Sequence, residues 1–89
     1  MVMKVNVWDT YVLKKNGMLM HFDILVPVET SEEETIFQYG DDYLTTKEVH
    51  IQSLSASECR LCHIETAPPQ VIASIKEKGY HIIELQNCD

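Results

Sequence analysis

The sequence is poor in the features that most readily announce a chemistry. It holds only 3 glycines, at 17, 40 and 79, and each suits a turn, a packing contact or a helix end, so there is no glycine-rich phosphate loop. No apolar run approaches the roughly 20 residues that cross a bilayer, so no membrane association is expected. Positive charge is scarce: 7 Lys+Arg stand against 14 Asp+Glu, for a net charge of −7. The basic footprint of a nucleic-acid binder is therefore missing, and such a chain is repelled by phosphate backbones and anionic membranes. No apolar leader precedes the strand pattern that starts at Lys4, which points to the cytosol. The 3 cysteines agree, because a small secreted domain usually carries an even disulfide set. No carboxylate pair stands out as a glycosidase couple, and no serine or cysteine nucleophile with a placed base is recognisable.

What is present describes one globular unit. The 89 residues, 45% of them hydrophobic, suffice for a single domain over 1–89 with a thin core. The acidic excess crowds Glu29, Glu32, Glu33, Glu34, Asp41 and Asp42, which reads as a solvated helix face rather than a cation-binding surface.

Residues 4–12 alternate with period two and predict a strand, with Val5, Val7, Asp9 and Tyr11 on one side and Asn6, Trp8, Thr10 and Val12 on the other. Asn16-Gly17 predicts a hairpin turn, and 18–26 the return strand, ended by Pro27. Thr30 with Glu33, or Ser31 with Glu34, forms a capping box for a helix that ends near Thr46. Ile36, Phe37, Gly40, Tyr43 and Leu44 supply its apolar face. Residues 48–54 read as a third strand, and 58–66 as a loop or an irregular strand. Pro68 opens a second helix with Val71, Ile72 and Ile75 on its stripe, and Gly79 suits its end. Tyr80–Gln86 is the last strand. The expected fold is α+β, a two-layer domain of order ββαβαβ: a small mixed β-sheet with two helices on one face.

Several of these segments carry a resemblance. Val7-Trp8-Asp9-Thr10-Tyr11-Val12, Met20-His21-Phe22-Asp23, Glu58-Cys59-Arg60-Leu61-Cys62-His63, Gly79-Tyr80 and Cys88 occur in the same order in DUF2024, a small, mainly bacterial family catalogued as a domain of unknown function, and the chain resembles that family over nearly its whole length. The resemblance implies a small α/β fold. It implies no activity, since the family has no assigned catalytic residues to carry over. Family members often have phenylalanine where this chain has Leu61, which leaves the Cys59, Cys62, His63 pattern intact.

Cys59-x-x-Cys62-His63 is the sharpest constellation. Two thiols at this spacing can bend around a tetrahedral ion, and His63 adds a nitrogen donor, so zinc is a possible cofactor. A structural site needs four ligands, and His21 or Cys88 is the further candidate, with His50, His81 and Glu65 behind them. No second Cys pair exists, so the motif stands alone. The same run matches covalent haem attachment, which takes place outside the cytosol and is set aside. A dithiol redox site is a third reading, weakened because the next helix begins about six residues beyond Cys62 and a helix dipole acts within one turn. The bland alternative is that the cysteines are small buried hydrophobes.

On the hairpin, a two- or four-residue loop places Thr10, His21 and Asp23 side by side, where a carboxylate could orient an imidazole. A three-residue loop would invert the second strand. Asp9 is the odd residue in an apolar alternation and needs hydrogen-bond partners if buried.

The leading expectation is a non-enzymatic binding or assembly domain, acting on an unidentified protein partner or on itself, with no cofactor required. Exposed edge strands make a homodimer plausible. The alternatives are zinc binding through Cys59, Cys62 and His63, and dithiol redox chemistry.

Overall fold

A computed structural model describes residues 2–49 and 54–88. The element order is β1 (Lys4–Leu13), β2 (Leu19–Pro27), α1 (Glu33–Thr46), β3 (Cys59–Thr66), α2 (Pro69–Lys78) and β4 (His81–Gln86). The order ββαβαβ is the expected one. Among the described residues, however, the third strand is the cysteine segment; of the expected strand 48–54, Glu48, Val49 and Leu54 are not in a strand, and 50–53 lie outside the described residues.

The sheet runs β3-β1-β2-β4, and its three pairings are all antiparallel, so it is not mixed. The reason is topological. The connection through α1 carries the chain across β1 to its far edge, so β2 and β3, which run in the same direction, are separated by β1.

The helices lie on opposite faces, so the sheet is the middle of three layers instead of one of two. The strand sequences explain this, since β1 and β2 are apolar on both sides at one end. Trp8, Val12, Met20, Phe22, Ile24 and Val26 pack with Ile36, Tyr43 and Leu44 of α1. On the reverse side Val5, Val7 and Leu25 pack with Val71 and Ile75 of α2. The run Ile24-Leu25-Val26 is fully buried, as expected of a strand covered on both faces.

The helix ends are simple. The capping boxes do not form, because the residue preceding α1 is Glu32 and makes no side-chain cap; Glu33 and Glu34 act through the dipole instead. The C-terminal end of α1 closes with Val49 N–H on the Leu44 carbonyl and Glu48 at φ 58. Pro69 opens α2, and Gly79, at φ 93, ends it with its N–H on the Ile75 carbonyl.

The hairpin turn decides where the functional side chains fall. Lys14 N–H bonds the Met18 carbonyl and Gly17 N–H bonds the Lys14 carbonyl, enclosing three residues, Lys15 to Gly17. Gly17, at φ 87, takes the left-handed position that follows a type I turn in such loops. Met18 N–H on Asn16 Oδ1 braces it. The odd loop pairs Leu13 with Leu19 and inverts the faces of β2 relative to an even loop.

Candidate metal centre

The inverted register separates Thr10 from His21 and Asp23 and delivers Asp9 to them. Asp9 pairs with Asp23, and Tyr11 with His21. These four side chains share the α2 face, beyond the end that α2 covers. The α2 cluster takes in Val5, Val7 and Leu25, with Ile83, the β4 partner of Asp23, at its margin. Further along the same face, Tyr11, Leu13 and Leu19 are exposed.

Within this open half-face, His21 Nε2 lies 2.5 Å from Asp9 Oδ1 and 4.0 Å from Asp23 Oδ1. The Tyr11 ring stacks on the imidazole at 4.0 Å between centroids and 10° between planes, fixing its orientation. The side chains of His21, Asp9 and Asp23 are 20%, 34% and 18% exposed, so they are partly desolvated yet reachable. One donor atom from each of the three lies within 4.8 Å of the others. Asp23 is pushed up to about 6, first by burial and then by its hydrogen bond to Asp9 and the charge of that carboxylate, with His21 and His63 pulling the other way. Two carboxylates and one imidazole held this closely leave a local deficit of positive charge, and a divalent cation would neutralise it.

The sequence-proposed ligands fall elsewhere. Cys59 faces the α1 core, fully buried, and accepts a hydrogen bond from Thr10 Oγ1 at 3.3 Å. Burial pushes its thiol up to about 11, the reverse of what activates a redox cysteine. Cys62 is exposed and is the extra residue of a bulge, since the register steps from Val7↔His63 to Trp8↔Leu61. His63 is exposed on the opposite face from Cys59, with Nε2 2.6 Å from Glu65 Oε1. Cys88 is buried on the α1 side and donates to the backbone carbonyl of His21 at 3.3 Å, not to the imidazole's neighbourhood. His81 Nδ1 is 2.9 Å from Ser74 Oγ on α2, and His50 lies outside the described residues. All three cysteines are free thiols. Among the described residues the group close enough to share an ion is Asp9, His21 and Asp23, not Cys59, Cys62 and His63. Of the proposed ligands His21 alone belongs to it. Asp9 and Asp23 were missed as ligands, although Asp9's place in an apolar alternation was the signal.

No helix among the described residues is long and apolar enough to cross a membrane. No curated protein matches the chain. The NMR structure of protein NE1680 from Nitrosomonas europaea is similar, with a TM-score of 0.82 and 36% identity over 98% of this chain and 100% of that one. The family match, to "Domain of unknown function (DUF2024)", spans residues 3–85, and on that extent the chain belongs to the DUF2024 family.

Proposed function

We propose that this domain acts by binding rather than catalysis, and that it holds one divalent transition-metal ion between Asp9, His21 and Asp23. The convergence of three donor atoms within 4.8 Å on a half-covered sheet face carries this reading. An imidazole nitrogen with carboxylate oxygens is a borderline donor set that suits zinc first and manganese or iron(II) next. The sequence leaves zinc only as an alternative, on a thiolate set; the reading proposed here puts the same ion on oxygen and nitrogen donors instead. Three protein ligands leave a coordination position directed away from the sheet, for water or for a donor from a docked partner. Tyr11, stacked on His21, holds the imidazole plane and so preorganises one ligand.

The test is elemental analysis of untagged protein purified without chelator, followed by zinc titration of the chelator-stripped chain. About one ion per chain is expected. At a hundredfold excess over Kd, zinc should add about 2.7 kcal/mol to the unfolding free energy. Asp9→Asn and His21→Ala should abolish both results, while Cys59→Ser and Cys62→Ser leave them intact. No bound metal and no zinc-dependent stabilisation would overturn the proposal.

A further inference from the structure

We infer that the outer edge of β3 is a self-association surface, and that a second copy of this chain pairs there antiparallel, with Arg60 opposite Glu65, Leu61 opposite Ile64 and Cys62 opposite His63. β3 is an edge strand, hydrogen-bonded on one side to β1, and every residue from Arg60 to Thr66 is exposed. It contains neither lysine nor proline, the residues that commonly blunt a sheet edge. It carries two exposed apolar side chains, Leu61 at 52% and Ile64 at 61%.

The occupant follows from the order of the side chains. Arg60-Leu61-Cys62-His63-Ile64-Glu65 reads base, apolar, two central residues, apolar, acid. Turned end for end against itself, it sets each arginine against a glutamate and each leucine against an isoleucine. A two-fold axis normal to the sheet keeps faces matched, so paired side chains must share a face. In a regular strand Leu61 and Ile64 would point to opposite sides. The bulge at Cys62 corrects this. Leu61 is opposite Trp8 and Ile64 opposite Asn6, two residues apart on β1; Arg60 is opposite Asp9 and Glu65 opposite Val5, four apart. Each pair therefore shares a face. Bulges often protect an edge; this one aligns the complementary set.

The other edge offers nothing comparable. β4 is shorter and holds no lysine or arginine to answer Glu84, so it lacks the self-complementary charge order of β3, whose Glu65 and Arg60 would exchange their present partners, His63 and the Ala56 carbonyl, for each other across the seam. Pairing through β3 would join two four-stranded sheets into one of eight strands. Both Asp9–His21–Asp23 groups would lie on the same side of it.

The test is sedimentation equilibrium of the whole chain, in chelator so that metal plays no part. The parent should dimerise with a Kd on the order of 10 µM, as suits a small interface. Arg60→Glu sets acid against acid, and Glu65→Arg base against base, so each variant alone should be monomeric with the parent's circular dichroism. Mixed one to one they are again complementary and should form the heterodimer. A parent still monomeric at about 1 mM overturns the inference. So does a dimer that survives both single substitutions, or folded single variants whose mixture stays monomeric.

Discussion

His21 and Phe22 are neighbours on one strand, yet they belong to two different kinds of surface. Phe22 points to the α1 face, where it is fully buried and its ring lies 4.7 Å from that of Tyr43. His21 points to the uncovered half of the α2 face, among two carboxylates and a stacked tyrosine. The first face is closed by a 14-residue helix and, among the described residues, admits one buried polar side chain, Thr10. The second is closed at one end by a 10-residue helix, about 15 Å long, which is too short to cover strands of nine and ten residues. The length of α2 thus divides the sheet's back into a packed half and an open half, and the three donors close enough to share an ion, Asp9, His21 and Asp23, lie in the open one. Stability and binding are consequently separable by face.

The largest effect that would test this division is Phe22→Ala against His21→Ala. Removing a fully buried phenylalanine costs about 3–5 kcal/mol, a large share of the 5–15 kcal/mol typical of a whole domain. Removing His21 deletes no core contact and should change stability by about 1 kcal/mol or less in the metal-free protein. Urea denaturation in chelator measures both. Comparable losses at the two positions would mean that the open half-face is part of the core.

A smaller effect sharpens the electrostatic side of the comparison. Asp23 has a folded-state pKa raised from 3.8 to about 6, so the folded metal-free domain holds that proton more tightly than the unfolded chain. The stabilisation from protonated Asp23 is fully present below 3.8 and is lost as pH rises through about 6. Asp23→Asn removes the ionisable group. In chelator the variant should therefore match the parent near pH 3.5 and become more stable than it as pH rises, levelling off above pH 6. Allowing for solvent screening at a partly open site, the plateau should be about 1 kcal/mol. The same variant should lose its metal. A profile parallel to the parent's at all pH values would mean that neither burial nor the neighbouring Asp9 raises Asp23 in the folded domain.

The sequence carried the element order because periodicity is local: Val5 to Val12, Ile36 to Leu44 and Val71 to Ile75 each announce their own element. It failed where a single residue of register decides. Asn16-Gly17 marks a turn but does not state its length, and the third enclosed residue, Lys15, moved His21 and Asp23 from Thr10's side to Asp9's. Asp9 was legible as an anomaly, though not as a ligand, since its partners come from another strand. The layer count failed for a related reason. Apolar Val5 and Val7 can be seen to oppose Trp8, but which helix covers which face depends on crossover connections that no local pattern encodes. The cysteine motif misled because its spacing says nothing of strand or loop: an extended strand already turns Cys62 away from the buried Cys59, and the bulge then turns His63 from Cys59's face to the opposite one.

The smallest effect addresses that last point. Cys62 packs against no core and takes no part in the Asp9–His21–Asp23 group, so Cys62→Ser should alter stability by no more than about 0.5 kcal/mol and leave metal content unchanged. Cys59→Ser replaces a buried apolar atom with a hydroxyl beside Thr10 Oγ1, which can donate to it, so its cost should be modest, about 1 kcal/mol. The pair is informative because a shared thiolate site makes the opposite forecast: both substitutions would then strip the metal and destabilise by similar, larger amounts. Native thiol titration supplies the companion measurement. With Cys59 and Cys88 buried and Cys62 exposed, one thiol per folded chain should react rapidly, and the other two should become reactive on unfolding. Rapid reaction of two thiols in the folded protein would put Cys59 at the surface with Cys62 and restore the dithiol as a candidate. Rapid reaction of one, with metal retained in both serine variants, would assign binding to the open half-face and leave the cysteines to the strand that carries them.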